Sequence, residues 1–206
     1  YQRSLIVFGG PLANFLLALV IFFSIYTFVG KDFTPAVINE VQKDSPAMAG
    51  GLKQNDVILE IDGNKVESIM DVSKFITMST DEIIDFKVKR SYDELILKVK
   101  PNIVPGEDNL GNKLNKRIVG IKLGAYNNEI NHVKLGPAQA IYHAAHEVYF
   151  VGISSLKYIG AMIFGKADTS QLGGPIRIAK ISGQVAEFGV LAFISMMAYI
   201  SISLGL

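Results

Sequence analysis

No cysteine occurs anywhere in the chain, so disulfides, thiol chemistry and cysteine-type zinc sites are excluded within it. Histidine is scarce, at 3 residues, which leaves few protein nitrogen ligands for any metal. Charge is missing from the two ends: Ser4 to Gly30 carries none, and neither does Phe188 to Leu206. The charged residues crowd into the middle and nearly cancel, for a formal net charge of +1. That balance argues against a nucleic-acid partner, which needs a broad basic surface. A chain that is 50% hydrophobic yet so unevenly charged has parts made for lipid and a part made for water.

The first uncharged run is 27 residues long. About 20 apolar residues span a bilayer core at ~1.5 Å per residue, so this run can cross with tilt. A secretory signal peptide has an apolar core of only ~7–15 residues followed by a small-residue cleavage site. This run is longer and ends in Tyr26-Thr27-Phe28-Val29. It reads as a transmembrane helix over 4–30 that contacts the lipid bilayer. Inside it, Pro11 removes a helical hydrogen bond and the Asn14 amide needs a protein partner in hydrocarbon, so this end is expected to pack on other helices. Arg3 and Lys31 flank the two ends and leave its orientation undecided. The second uncharged run predicts a further transmembrane helix over 186–206. Its apolar character persists to the last residue, so it reads as a truncated piece of a longer protein.

Between them, 35–101 reads as a compact water-soluble domain. Ala36 to Val41 is extended and apolar, and Asp44-Ser45-Pro46-Ala47 opens a short helical turn that Gly50-Gly51 stops. Val57 to Ile61 is a β-rich strand, and Asp62-Gly63 supplies the positive φ of a tight hairpin before Val66. Ser68 with Asp71 is a capping-box pattern for a helix whose apolar face carries Val72, Phe75 and Ile76. Ile84, Phe86 and Val88, then Leu95, Leu97 and Val99, alternate with polar residues as two half-buried antiparallel strands.

That order of elements, with Ser45-Pro46-Ala47, Ala49-Gly50-Gly51-Leu52, Asp56-Val57-Ile58 and Ile61-Asp62-Gly63, resembles a bacterial, circularly permuted PDZ domain. Asn55-Asp56 stands where that family usually has Gly-Asp. A PDZ domain binds an extended peptide as an added strand between a sheet edge and a helix. The resemblance implies a groove bordered by Ala36–Val41, with Val37 and Ile38, and by the helix carrying Val72, Phe75 and Ile76. The same five side chains are equally well explained as core.

Beyond it, 102–136 reads as a linker: Asn102 to Lys116 as a flexible polar loop, then a strand over Arg117 to Leu123. Gly136-Pro137 opens a helix over 137–164. At 100° per residue, Gln139, His143, His146, Glu147, Ser154 and Lys157 share one side of it. A narrow polar stripe on an apolar helix suggests one that lies at the membrane interface or packs its polar side on protein. His143-x-x-His146-Glu147 could ligate a metal, but it is neither His-Glu-x-x-His nor its reversed form. Polar residues on an amphipathic face explain it without a metal. Ser154-x-x-Lys157 imitates a serine–lysine nucleophile pair but lacks that chemistry's companion motifs. A loop segment over 165–185 follows, in which Gly173, Gly174 and Pro175 interrupt any regular helix.

Two segments carry a second resemblance. Gly10-Pro11-Leu12-Ala13-Asn14-Phe15 resembles the Gly-Pro-x-x-Asn segment of site-2 proteases, and Leu172-Gly173-Gly174-Pro175-Ile176-Arg177-Ile178-Ala179 resembles the Leu-Gly-Gly-Pro-Ile segment of the regulator-of-sigma-E type. The resemblance implies an intramembrane zinc metalloprotease in the bacterial inner membrane, multi-pass, with the PDZ domain in the periplasm. It implies regulated proteolysis of a single-pass membrane protein or a signal peptide. It places Gly10, Pro11, Asn14, Gly173, Gly174 and Pro175 in packing around the active site. The family's His-Glu-x-x-His and Leu-Asp-Gly zinc motifs are not in these 206 residues. The chain alone is therefore expected to bind no zinc and to be inactive, with zinc in the full-length enzyme. The expected fold is a mixed α+β membrane protein: transmembrane helices flanking a periplasmic PDZ-like β-sandwich, followed by an interfacial amphipathic helix. A non-catalytic, membrane-anchored PDZ adaptor, such as a secretion-system component, shares the anchor and the PDZ block but leaves the Leu-Gly-Gly-Pro-Ile segment unexplained.

Overall fold

The computed structural model describes residues 2–107, 113–125, 130–164 and 175–206. The chain divides into two compact units, one made of Tyr1–Lys31 with Val133–Leu206, the other of Asp32–His132.

The first unit is helical. Helix α1 (Gln2–Ser24) contains Pro11 and continues into a π-helical turn, Ile25–Val29, that ends at Gly30. Gly30 donates its N–H to the Ile25 carbonyl at 2.9 Å and has φ +117°, a conformation that glycine adopts without strain. Gly9–Val29 is, among the described residues, the helix long and apolar enough to cross a membrane, and only 11% of its most apolar stretch is buried within the chain. The core helix of a soluble protein would be mostly buried; this one offers its apolar surface outward. Helix α4 (Pro137–Ile163) starts with proline at its first turn, as the sequence implies. Helices α5 (Pro175–Glu187) and α6 (Val190–Gly205) follow, separated by Phe188 and by Gly189 at φ +105°.

Two expectations are corrected here. The loop expected to run to 185 gives way to helix at Pro175, because proline is at home in a helix's first turn. The single helix expected over 186–206 is broken at Gly189. The preceding residues, including Gly173 and Gly174, lie outside the described residues.

Helix α1 packs on α4 and α6. Ala18 and Phe22 of α1, Ala140, Ala144 and Val151 of α4, and Ala198 and Ile202 of α6 are buried. Small side chains let helices approach closely, and in lipid close packing substitutes for the hydrophobic effect.

The second unit is a sheet with two short helices. Its strands are β2 (Ala36–Val41), β3 (Val57–Ile61), β4 (Asn64–Lys65), β5 (Ile84–Arg90), β6 (Asp93–Val99), β7 (Asn102–Glu107), β8 (Lys113–Ile118) and β9 (Ile121–Ala125). The two-residue strands β1 (Lys31–Asp32) and β10 (His132–Val133) pair with each other. The main sheet runs β6-β5-β3-β2-β9, with β4 also on β3, and every pairing in it is antiparallel. Helix α2 (Pro46–Ala49) is capped by the Ser45 hydroxyl, which accepts from the Met48 N–H at 3.2 Å. Helix α3 (Ile69–Met78) has the full capping box, with Ser68 Oγ accepting from Asp71 N and the Asp71 carboxylate accepting from Ser68 N. It packs toward β2, β3 and β9.

The turns follow from their residues. Asp62 at φ +48° and Gly63 at φ +74° form the left-handed pair of a two-residue hairpin between β3 and β4. Asn55, which replaces the expected glycine, sits at φ +68°. Asparagine is among the few residues that tolerate this region, so the substitution keeps the turn. The core beneath is Ile38, Ile58, Ile61, Val72, Ile84, Phe86, Val88 and Val99, all at 2% exposure or less.

The polar stretch after Pro101 departs from its expectation. Instead of a flexible loop, β7 pairs with β8 in register from Asn102 opposite Ile118 to Glu107 opposite Lys113. The strand expected over Arg117–Leu123 is two strands separated by Val119 and Gly120. Helical or strand periodicity cannot reveal a solvent-facing hairpin, since neither of its faces needs to be apolar.

Candidate functional site

Two regions hold the residues singled out above. In the sheet unit, the strand pairing differs from the one expected at β2. Strand β2 was expected to offer its edge, but it is paired on both sides, with β3 and with β9. Val37 at 7% exposure and Ile38 at 0% are core residues, as are Val72, Phe75 and Ile76 at 0%, 6% and 8%. Among the described residues the sheet ends in β6 on one side and in β9 on the other, and β9 is the outer strand that lies beside β2. The strand expected over Arg117–Leu123 includes the start of β9, but its pairing with β2 is invisible locally because β2 lies some 80 residues earlier.

The turn entering β9 is fixed from three directions. The Gln42 N–H donates to the Gly120 carbonyl and the Ala47 N–H to the Val119 carbonyl, each at 2.9 Å. Gly120 has φ +84°, and a Cβ there would overlap the Ser45 side chain. From the other side Arg117 reaches the C-terminal end of α3, where its guanidinium donates to the Ser79 and Asp81 carbonyls. A cation satisfying the last carbonyls of a helix also complements the helix dipole. Burial pushes the Arg117 pKa down from its ordinary value, opposed by the nearby charges of Asp62 and Asp81. Its Nε is buried without a hydrogen bond. Helix α3, β8 and the start of β9 are thus tied together around the open edge.

Behind the edge, Asp56 anchors the sheet. It is fully buried and receives Arg90 through Nε–Oδ1 and Nη2–Oδ2 contacts of 2.7 Å each, while the Lys53 N–H donates to Oδ2 at 2.9 Å. The hydrogen bonds Arg90 donates to Asp56 raise its pKa above the ordinary value, its partial burial opposing and the carboxylate charge assisting. A bidentate guanidinium–carboxylate pair with its remaining acceptor capacity used is the arrangement in which a buried charge is tolerated. On the outer face Lys87 bridges Glu60 and Glu94, whose hydrogen bonds raise its pKa, Glu94 first. That ladder is solvated and adds little.

In the helical unit, Pro11 and Asn14 lie on α1 where the end of α6 packs, whereas Gly10 is exposed and a Cβ there would meet nothing within 4 Å. The Ser201 hydroxyl donates to the Asn14 carbonyl at 2.9 Å. A Cβ at Gly205 would lie 3.1 Å from the Pro11 carbonyl oxygen and 3.3 Å from the Asn14 Cβ. The Phe15 ring lies equally near, at 3.1 Å, and glycine is what lets the two helices approach this closely. Pro175 opens α5.

The His143, His146 and Glu147 group is dispersed by the helix it sits on. Lys31 Nζ is 3.2 Å from His143 Nδ1, His146 is exposed beside Tyr142, and Glu147 is buried with the Tyr199 hydroxyl donating to it at 3.0 Å. The stripe read as one polar face therefore divides, with Glu147 turned inward and His146 outward. No group of three or more His, Cys, Asp or Glu among the described residues is arranged to hold a metal ion. The residues described here do not fit a zinc site.

A two-unit chain with a membrane-length helix and an antiparallel sheet domain is matched along its length by known proteins. The profile of Peptidase family M50 matches residues 1–206. The chain belongs to peptidase family M50, which bears out the site-2 protease resemblance. Relatives include the provisionally named zinc metalloprotease Atu1380 of Agrobacterium fabrum, 34% identical over 206 residues, covering 100% of this chain and 55% of the relative. Zinc metalloprotease RasP of Geobacillus kaustophilus is 30% identical over 207 residues, covering 100% of this chain and 46% of that protein. The chain thus spans about half the length of the curated relatives it matches. Among solved structures, the PDZ domain of the SdrC-like protein of Listeria innocua aligns with 46% of this chain and 99% of its own, at 23% identity and a TM-score of 0.36. Its counterpart from Listeria monocytogenes gives 44%, 88%, 24% and 0.34.

Proposed function

We propose that this chain is part of a membrane-embedded zinc metalloendopeptidase that performs regulated intramembrane proteolysis in the bacterial inner membrane. The observation that carries this reading is family membership over all 206 residues, joined to a helix of membrane length whose apolar surface is left outward. In this reading the zinc of the full-length enzyme is held by residues other than those described. This segment contributes packed helices to the membrane part and a sheet domain of PDZ type on the periplasmic side. Helix α4 lies at the interface or packs within the helical part. Substrates are single-pass membrane proteins or signal peptides.

The sheet domain admits or screens substrate. The open edge of β9 presents unpaired backbone donors and acceptors beside α3, and an extended peptide pairs with such an edge through its main chain. Residues of β2 serve as the floor of that site, not as its edge.

Two measurements test these statements. The full-length gene product, purified and reconstituted in lipid vesicles, should cleave a single-pass membrane substrate. A zinc chelator should abolish cleavage and added zinc should restore it. Cleavage that persists in chelator, or none with zinc present, sinks the proteolytic reading. Separately, an extended peptide from the substrate should slow amide hydrogen exchange in Ile121–Ala125 and leave Ala36–Val41 unchanged. Protection confined to other strands removes the β9 site.

A further inference from the structure

We propose that Glu147 is a positioning residue that, through Tyr199, sets the seating of α6 against α4 and α1 for the proteolytic reaction. The inference rests on the membrane-protease reading above and assigns a role to a side chain which that reading does not use.

Glu147 is 7% exposed on a helix whose other buried residues are Ala140, Ala144, Val151 and Gly152. A carboxylate among alanines and valine is costly to bury, and more so within a membrane, where ionisable groups are retained for a task. One partner lies on α6: the Tyr199 hydroxyl donates to Glu147 Oε1 at 3.0 Å, across 52 residues of sequence. Tyr199 is held in turn by Phe22 of α1, edge to face at a centroid distance of 5.3 Å. One tyrosine thus touches both neighbouring helices, with its polar tip on α4 and its ring on α1.

Helix α6 has little else to fix its rotation. From Val190 to Met197 it is apolar apart from Ser195, whose hydroxyl donates to the Leu191 carbonyl of the same helix, and apolar surfaces slide past one another with little directional preference. Its other polar contact to a neighbouring helix among those described here is Ser201 to the Asn14 carbonyl, two residues beyond Tyr199. One turn farther on, Gly205 meets Phe15, Pro11 and Asn14 so closely that an added Cβ would force them to give by a few tenths of an ångström. Any rotation or slip of α6 that broke the Glu147–Tyr199 bond would therefore be transmitted to Pro11 and Asn14. Hydrogen bonds between membrane helices are individually modest, so the expected consequence is geometric misplacement more than unfolding. Misplacement by about 1 Å can cost up to ~100-fold in rate.

The test uses the full-length protein in lipid vesicles with a single-pass substrate, comparing Y199F, E147Q, E147A and the double variant E147A/Y199F. Tyr199→Phe removes one oxygen and keeps the ring on Phe22. It should lower kcat about tenfold and leave KM within twofold. Glu147→Gln keeps an oxygen that accepts from Tyr199, and should retain activity close to that of the unaltered protein. Glu147→Ala should fall at least as far as Y199F, and the double variant no further than E147A. If E147A fails to fold, the Y199F and E147Q pair still decides. Unaltered kcat in Y199F, or E147Q as impaired as Y199F, overturns the proposal. Additive losses in the double variant do so as well. An unaltered protein with no zinc-dependent cleavage overturns the underlying reading and this proposal with it, whereas an active protein indifferent to Tyr199→Phe overturns this proposal alone.

Discussion

The two units of this chain are specified by different chemistry. The sheet unit is punctuated at every turn: Ser45 caps α2, Asn55 and Asp62 take left-handed conformations, Ser68 and Asp71 box the start of α3, and Asp56 clamps Arg90. The helical unit has long apolar surfaces, between which the directional contacts include Tyr199 to Glu147 and Ser201 to the Asn14 carbonyl. In water, turns and caps must satisfy backbone groups and fix strand register, so each error is expensive. In lipid, helices satisfy their own backbones and neighbouring contacts only tune their seating. The same kind of substitution should therefore hurt one unit far more than the other.

The largest effect is expected at the clamp. Asp56→Ala leaves Arg90 without its partner and should cost about 2–3 kcal/mol, below the full penalty for a broken buried pair because Arg90 keeps part of its water. Urea titration of the purified chain in detergent, followed by hydrogen exchange, should show the loss in Asp32–His132 while α1 and α6 keep their protection. Equal loss in both units would erase the contrast.

At the turn before β3, Asn55→Ala should cost about 1 kcal/mol, since alanine at positive φ is strained and lacks the amide. Asn55→Gly should be close to neutral. Denaturation midpoints for the two variants check this, and an alanine variant as stable as the glycine one would remove the argument from backbone conformation.

In the helical unit, Ser201→Ala deletes a membrane-type hydrogen bond and should cost only about 0.6 kcal/mol. Steric trapping or thermal melting in detergent would measure it, and a loss as large as that of Asp56→Ala would contradict the comparison.

The smallest effect concerns pH. The hydrogen bond and then the charge of Lys100 hold the Glu82 carboxyl below its ordinary value of 4.5. A depressed carboxylate contributes stability that is present above the ordinary value and lost as pH falls through the lower folded one. Because both partners are exposed, the contribution is screened. Glu82→Gln should track the unaltered chain in denaturation midpoint between pH 7 and pH 3. Divergence that opens below pH 4.5 would show the pair to be stronger than a surface pair should be.

Much of the sheet unit was legible before any coordinates. The capping box at Ser68, the Asp62-Gly63 hairpin and the alternation of Ile84, Phe86 and Val88 are local devices, each carrying its meaning within a few residues. Arg117 was legible only as a strand residue, because its role depends on the carbonyls of Ser79 and Asp81, brought to it by the fold. The β7–β8 hairpin was read as a loop for want of any apolar periodicity. In the helical unit, length and hydropathy sufficed for α1. Pro175 and Gly189 are local start and stop signals for α5 and α6, but proline after two glycines reads as readily as a loop, and the apolar run through Gly189 reads as continuous.

By itself the sequence determined the existence of a helix long and apolar enough to cross a membrane, a compact sheet domain, its caps and turns, and the family, because each rests on composition or on residues a few positions apart. Tertiary structure alone decided that β9 lies outside β2 on the sheet, and that Glu147 faces Tyr199 while His146 faces outward. The reason is common to both. Which edge is free and which side of a helix is buried depend on partners distant in the chain, and one strand laid beside another changes the role of every residue on it.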